Sequence, residues 1–202
     1  GPAIAPKHGP TLILGPGTGL GAAVWIPTGK RAVVLATEAG QAALTAGNAL
    51  EMALLGEMLK TRTHVPVEQA LSGPGLMNLY FALCAVRGTA PAPYTHPGEI
   101  TAAAQSGEDV LARESLEVFC GLLGSVVGDM ALLYGVQGGV YLAGGILPKI
   151  RDVLIASSFV PRFLNKGSMR EALERIPVKL VEHGQLGVIG AARWYLEHEQ
   201  GE

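Results

Sequence analysis

The sequence predicts an α/β domain built on a mixed five-stranded sheet with flanking helices. Two observations predict this fold class. Three short β-favouring runs follow one another near the start, and the later apolar patterns alternate between helical spacing and short buried strands. The length of 202 residues, with 49% hydrophobic and 16% charged residues, suits one large domain or two small ones.

The first three strands follow from runs of apolar and β-branched residues. We predict strands over residues 11–14, 20–26 and 31–36, with "PTGK" as the turn before the third. Because the connections are tight turns, these strands are expected to form an antiparallel meander.

Apolar residues at helical spacing follow the meander. They predict a helix around residues 44–59, a second from "SGPG" to about residue 86, and a short third near residues 100–105. A proline-rich surface loop separates the second helix from the third.

A long helix is predicted over residues 108–134. Its glycines at positions 121, 124 and 128 are unusual, because each costs about 1 kcal/mol against alanine inside a helix. We therefore expect another backbone or a ligand to approach this helix closely.

The last part of the chain contains two further strands, over residues 140–143 and 178–181. Between them we predict a helical stretch over residues 149–156 and, after "VPRFLNKGSM", a short helix near residues 169–174. A final helix is predicted over residues 186–196. This order of elements is that of a ribonuclease-H-like domain, the α/β unit found in half of an actin-like ATPase.

Charge and cysteine content argue against several classes of function. The net charge is −2 and the sequence pI is about 6.2, with no basic stripe, so nucleic acid is not expected as a partner. Cys84 and Cys120 lack metal-ligand spacing and lie in apolar helical patterns, which favours buried free thiols in a reducing cytosol. No apolar run reaches about 18 residues, so no membrane span is expected.

The first candidate site is the glycine-rich segment "GPGTGLG" between the first two predicted strands. Glycines permit positive φ angles and a close approach of backbone N–H groups to an anion, and Thr18 adds a hydroxyl donor. No helix follows, so the segment matches neither the dinucleotide fingerprint nor the Walker loop. Taken alone, it is explained equally well by a hairpin that binds nothing.

The second candidate is "LAGGI", where a predicted buried strand ends in Gly144 and Gly145. The carboxyl edge of a sheet is where α/β folds bind ligands. The two glycines would let an adenine or a ribose lie against the backbone. A tight strand-to-helix turn is the alternative for this segment alone.

Two glutamates follow extended segments, Glu38 in "ATEAGQA" and Glu68 in "VPVEQALSGPG". Carboxylates bind the vicinal hydroxyls of sugars through charge-assisted hydrogen bonds. Taken singly, each glutamate is better explained as a solvated surface charge.

Together, the segments are more specific than any one of them. In their order and spacing, "GPGTGLGAA", "TEAGQA", "LSGPGLMNLY" and "GGVYLAGGILP" resemble the bacterial ATP-dependent glucokinase family, within the sugar-kinase branch of the actin-like fold. The likeness extends over about residues 11–196. It implies that residues 11–197 are the C-terminal, larger domain of such a kinase and that the N-terminal kinase domain is absent. Residues 1–10, "GPAIAPKHGP", are interpreted from their own sequence as a tag scar or linker.

The resemblance also implies a role for each candidate residue. The implied ATP-binding residues are Gly17, Thr18, Gly19, Gly144 and Gly145. The implied glucose-binding residues are Glu38, Gln41 and Glu68. The family reaction transfers the γ-phosphoryl group of ATP to the 6-hydroxyl of glucose with Mg²⁺, and family members are often homodimers through this domain.

The chain departs from the family pattern in two ways. Gln41 stands where the family usually has a histidine, and glutamine forms hydrogen bonds but does not titrate. The family's catalytic base is the aspartate of an Asn-Asp pair upstream of the matched segments, and the first phosphate loop also lies there. The aspartates of this chain, Asp109, Asp129 and Asp152, do not follow an asparagine.

We therefore expect no catalytic residue in this chain, which would supply only the sugar- and ATP-binding loops of an intact parent enzyme. Two alternatives stay open. The chain could be a non-catalytic sugar- or nucleotide-binding remnant with a regulatory role, or part of a kinase for another hexose.

Overall fold

Five strands form one mixed sheet, as the sequence predicts. The computed structural model describes residues 9–29 and 31–181. The strands are β1 (Thr11–Pro16), β2 (Leu20–Pro27), β3 (Ala32–Thr37), β4 (Gly139–Leu142) and β5 (Val178–Leu180). Their order is β3-β2-β1-β4-β5. The first three form the predicted antiparallel meander, β4 pairs parallel to β1, and β5 pairs parallel to β4.

Helices occupy the connections on either side of β4. They are α1 (Ala49–Leu59), α2 (Gly73–Arg87), α3 (Pro97–Ser106), α4 (Val110–Leu133), α5 (Arg151–Ala156), α6 (Phe159–Leu164) and α7 (Arg170–Leu173). Short 3-10 turns lie at Ala39–Gln41, Val67–Gln69, Leu147–Ile150 and Gly167–Met169. The helix predicted over residues 186–196 lies outside the described residues.

The main core lies between one face of the sheet and the helices. Leu12 and Leu14 of β1 belong to this core together with Leu79 of α2 and Leu123 of α4. Side chains alternate along a strand, so Ile13 points to the opposite face, where it forms a smaller cluster with Ala143. β1 is buried along its whole length because it is the central strand.

The helix α4 is long and apolar enough to span a membrane by length and composition alone. However, 67% of its apolar 18-residue stretch is buried inside the protein. That burial is typical of a core helix. Both predicted free thiols are confirmed as buried, with Cys120 in α4 and Cys84 in α2. Burial raises the pKa of Cys120 to about 12 and also raises the pKa of Cys84.

Most of α6 lies in the segment "VPRFLNKGSM", for which the sequence pattern predicted no helix. Pro161 lies in the first turn of α6, where proline is tolerated. α6 packs directly on the glycines of α4: a Cβ on Gly124 would overlap the carbonyl oxygen of Phe159, and one on Gly128 would lie 2.7 Å from that of Phe163. The expected close approach to α4 is thus confirmed, and a neighbouring backbone makes it.

A buried ion pair joins α1 to α6. The predicted first helix begins later than its apolar pattern, at Ala49, because the side chain of Asn48 accepts a hydrogen bond from the N–H of Glu51 and ends the preceding loop. Nη1 and Nη2 of Arg162 donate hydrogen bonds to the two carboxylate oxygens of Glu51, over 2.5 and 2.9 Å. The same carboxylate also accepts the N–H of Gly47 over 2.7 Å, which fixes the loop before α1.

Candidate functional site

The glycine hairpin, residues 17–19, connects β1 to β2. Pro16 pairs with Leu20, and the N–H of Gly17 donates to the carbonyl of Gly19 over 2.8 Å. Thr18 is exposed at the tip. The backbone N–H groups of Thr18 and Gly19 donate no hydrogen bond to any of the described residues. These two donors are therefore available to an anion.

The carboxylate of Glu68 reaches the base of this hairpin. Its Oε2 accepts the N–H of Leu20 over 2.8 Å. A Cβ on Gly19 would lie 2.6 Å from the same oxygen. None of the hairpin glycines adopts a positive φ, so what glycine provides at position 19 is room for this carboxylate, which a Cβ would displace. The other oxygen, Oε1, accepts Nε2 of Gln41 over 3.3 Å.

The "SGPG" segment holds Glu68 and the hairpin in place together. Ser72 caps α2: its hydroxyl donates to the Glu68 carbonyl over 2.7 Å and accepts the N–H of Gly75 over 2.9 Å. The N–H of Gly73 donates to the carbonyl of Gly17 over 2.7 Å. The first N–H group of α2 thus anchors the hairpin.

The turn at Ala39–Gln41 carries the other two predicted sugar-binding residues. Gln41 donates its N–H to the carbonyl of Glu38 over 2.9 Å. Gly40 packs on β2, where a Cβ would lie 2.6 Å from the carbonyl oxygen of Leu20. The Glu38 side chain is exposed, and its carboxylate has no hydrogen bond or ion pair with the described residues. The structure therefore brings Gln41 and Glu68 into contact and leaves Glu38 at the start of the same turn.

The paired glycines after β4 lie beside the hairpin. Gly144 has φ +100°, and a Cβ there would overlap the carbonyl oxygen of Pro16, which directly precedes the hairpin. The N–H of Ala143 donates to the carbonyl of Leu14 over 2.8 Å. A Cβ on Gly145 would have nothing within 4 Å, so this residue faces open space. Both glycine motifs thus meet at the carboxyl ends of β1 and β4.

Two contributors to this site were missed by sequence reasoning. His64 is exposed, and its Nε2 lies 2.9 Å from the carbonyl oxygen of Gln41, so it holds the Ala39–Gln41 turn. Leu20 contributes its backbone N–H to Glu68. No sequence pattern signals either contact, because each joins residues far apart in the chain.

The three aspartates lie away from these loops. Asp109 caps α4 and accepts the hydroxyl of Tyr80 over 2.7 Å. Burial acts to raise its pKa, but the hydrogen bonds from Tyr80 and from backbone N–H groups outweigh it, so the pKa is lowered. Asp129 pairs with Lys166 over 2.5 Å, and Asp152 is exposed on α5.

Metal-binding side chains are not grouped at the site either. Over residues 9–29 and 31–181, no three His, Cys, Asp or Glu side chains are close enough to hold a metal ion. Within these described ranges, the loops therefore have no cluster of such side chains to hold a metal ion.

Comparison with known proteins places the fold in a family. The sequence profile described as Glucokinase matches residues 2–198. The chain belongs to the glucokinase family. The glucokinase-like protein of Xylella fastidiosa strain Temecula1 is 61% identical over 196 residues, which are 97% of this chain and 58% of that protein. The chain thus spans well under two thirds of this glucokinase-family relative.

Solved glucokinases share the fold. The crystal structure of glucokinase from an Antarctic psychrotroph matches with a TM-score of 0.86 and 39% identity, over 95% of this chain and 59% of that one. A glucokinase of the ROK family from Streptomyces griseus, solved with glucose and AMPPNP, matches with a TM-score of 0.62 over 93% of this chain and 61% of that one. At 20% identity the second likeness shows the fold alone. The predicted actin-like ATPase fold is confirmed.

Proposed function

We propose that this chain supplies the glucose- and ATP-binding loops of a glucokinase, as its C-terminal, larger domain. In the intact parent, the reaction is the ATP-dependent phosphorylation of glucose to glucose 6-phosphate. The observation that carries the proposal is the contact of Glu68 with both Gln41 and the glycine hairpin, beside Gly144. Membership of the glucokinase family supports it.

The sugar half of the site consists of Glu38, Gln41 and Glu68. Charged carboxylates accept strong hydrogen bonds from hydroxyls. The Glu38 carboxylate has no hydrogen bond or ion pair with the described residues, so it can bind a sugar hydroxyl without breaking one. On Glu68, the contact with Gln41 is the longer of the two, at 3.3 Å against 2.8 Å for Leu20. A sugar hydroxyl would therefore take the place of the Gln41 amide on Oε1.

The nucleotide half consists of the glycine hairpin, Thr18 included, and the Gly144–Gly145 pair. Backbone N–H groups aimed at a phosphate offset its charge as the phosphoryl group is transferred. The unbound N–H groups of Thr18 and Gly19 suit that role, and the open surface at Gly145 suits an adenosine. Mg²⁺ would come with the phosphates, since it is usually held by few protein ligands.

The catalytic base is assigned to the part of the parent outside this chain. None of the three aspartates lies at the loops, and each has a structural or surface position. A positioned general base contributes about 10²–10⁴-fold to a rate. The chain alone is therefore expected to bind ligands without measurable turnover.

The test compares this chain with its intact parent. Calorimetric titration of the 202-residue chain with glucose and with AMPPNP measures binding, and an assay coupled to NADPH formation measures glucose 6-phosphate. Binding by the chain with turnover by the parent alone is the expected result. A native gene that encodes only these residues, or a longer parent that does not phosphorylate glucose, would overturn the proposal.

A second candidate function follows from Gln41. Glutamine at this position, where the family usually has histidine, changes the hydrogen-bonding groups offered to the sugar. A kinase for another hexose, or a non-catalytic sugar-binding regulator, would account for this change. A sugar panel in the same titrations separates the possibilities: tighter binding of another hexose by an active parent favours the first, and binding by an inactive parent favours the second.

We also propose a cytoplasmic homodimer. The buried free thiols suit a reducing compartment. The edge strand β3 leaves Val33, Val34 and Leu35 exposed, and an open apolar edge of this kind favours association. Light scattering checks the assembly, and a mass of one chain at micromolar concentration would contradict it.

A further inference from the structure

The two oxygens of the Glu68 carboxylate face different halves of the site. We propose that Glu68 is a positioning residue for the glycine hairpin as well as a sugar ligand, so that one carboxylate couples sugar binding to the shape of the phosphate-binding turn. The sugar role rests on the proposed function. The hairpin role rests on the contacts of Glu68 alone.

The N–H of Leu20 depends on Glu68. Leu20 is the first residue of β2 and lies opposite Pro16, and it is nearly fully buried. Its N–H donates to Oε2 of Glu68 over 2.8 Å. A buried N–H without an acceptor is costly, so removal of the carboxylate would release the end of the hairpin.

Gly19 leaves the space in which this carboxylate lies. A Cβ at position 19 would lie 2.6 Å from Oε2 and 3.1 Å from the carboxyl carbon of Glu68. Gly17, at the other end of the same turn, has nothing within 4 Å of its Cβ position. The two flanking glycines therefore differ: a methyl group at 19 displaces Glu68, and a methyl group at 17 meets open space.

The oxygen that faces the sugar is the less firmly held one. Gln41 donates to Oε1 over 3.3 Å and can be replaced by a sugar hydroxyl while Oε2 keeps the N–H of Leu20. A bound sugar would then fix the carboxylate and, through Leu20, the hairpin that presents its N–H groups to phosphate. Coupling of this kind is reciprocal, so nucleotide binding would tighten sugar binding by the same factor.

The first experiment measures the hairpin without any ligand. Amide hydrogen exchange of Leu20 is followed by NMR in the 202-residue chain and in its Glu68→Ala and Glu68→Gln variants. We expect exchange at Leu20 to become about tenfold faster in Glu68→Ala, as for loss of a hydrogen bond to a charged acceptor, and to be largely restored in Glu68→Gln. An unchanged rate in Glu68→Ala overturns the hairpin role. If that variant does not fold, Gly19→Ala takes its place with the same expectation.

The second experiment measures the coupling. Gly19→Ala and Gly56→Ala are titrated with glucose, with and without AMPPNP. We expect Gly19→Ala to weaken glucose binding by about 5-fold or more and to abolish its enhancement by AMPPNP, within the usual range of coupling factors. Gly56→Ala, on the exposed side of α1 with nothing within 4 Å of the new Cβ, keeps the glucose affinity of the unaltered chain. Equal glucose affinity in the two variants overturns the coupling.

Failure of the proposed function gives a different pattern. If the unaltered chain binds no glucose in the titration, the sugar role is wrong. The exchange rate of Leu20 in Glu68→Ala still decides whether Glu68 positions the hairpin. Loss of protection at Leu20 without glucose binding would make Glu68 a structural support for a nucleotide-binding turn only.

Discussion

Glycines are concentrated in two regions of this molecule, and the regions use them in opposite ways. In α4, positions 121, 124 and 128 lie under α6, and the space that a side chain would fill is occupied by Ser158, Phe159 and Phe163. At the open ends of β1 and β4, Gly17 and Gly145 have no neighbour within 4 Å of a Cβ. The first group closes a core, and the second leaves a surface exposed.

The comparison teaches that a glycine pattern has to be interpreted by its neighbours. Both regions look alike in the sequence, as glycines that follow one another at intervals of no more than four residues. Gly19 and Gly144 are intermediate, because protein atoms crowd them although they lie at the candidate site. Substitutions in the two regions should therefore separate stability from binding.

The largest effect is expected where α6 is held over the α4 glycines. Arg162→Met leaves the buried Glu51 carboxylate without its partner, which costs about 3–5 kcal/mol of unfolding free energy. Urea denaturation measures this loss. Arg170→Met is the matched control, because Arg170 pairs with Glu174 at the surface, where such pairs contribute about 0.3–0.5 kcal/mol. Equal losses in the two variants would show that α6 is not held by the ion pair.

Gly124→Ala tests the packed glycines directly. The new methyl group collides with the backbone of α6, and overpacking of this kind costs about 1–3 kcal/mol. Gly56→Ala is the control within a helix, since Gly56 in α1 is exposed with nothing within 4 Å. There alanine should stabilise the chain by about 0.5–1 kcal/mol. Thermal unfolding that shifts in the same direction for both would contradict the account of α4.

The start of α4 carries a charge whose effect depends on pH. The pKa of Asp109 is lowered in the folded chain. Its carboxylate therefore stabilises the fold at pH values above about 3.9, the pKa of an aspartate in the unfolded chain. This stabilisation is lost as the pH falls through the lower pKa of the folded chain. Asp109→Asn keeps an oxygen to cap α4 but loses a charged acceptor for Tyr80. We expect a loss of about 1–2 kcal/mol at pH 7 that disappears in acid. A loss that is constant from pH 7 to pH 3 would contradict it.

The smallest effect on stability is expected at the open glycines. Gly145→Ala should change the free energy of unfolding by less than about 0.5 kcal/mol, because its side chain enters open space. The affinity for AMPPNP should nevertheless fall, since a methyl group would occupy the proposed adenosine surface. Calorimetry gives the affinity and urea denaturation the stability. Unchanged AMPPNP affinity would remove Gly145 from the nucleotide site.

Much of the fold could be predicted because its signals are local. Apolar runs and tight turns gave the meander within one or two residues at most strand ends. The sequence pattern did not predict α6, because the helix contains Pro161 and its buried side, Phe159 and Phe163, spans only one turn. What stabilises this helix is its packing on α4, and such a contact between distant segments leaves no local pattern.

The candidate site was predictable as a set of residues but not as an arrangement. Glu38, Gln41 and Glu68 were found through their segments, and their roles stay predictions. The bond from Leu20 to Glu68 spans 48 positions, and no spacing rule connects the two. The reason for glycine at position 19 likewise becomes visible only in the structure, where the Glu68 carboxylate lies next to it.

The shared carboxylate of Glu68 has an evolutionary consequence. A mutation at this position alters a hairpin contact and a sugar contact at once, so selection for a new sugar cannot act there without also disturbing the neighbouring turn. Gln41 and Glu38 carry no such link, because neither side chain contacts the hairpin. Changes of sugar preference should therefore accumulate at positions 38–41 while position 68 stays fixed.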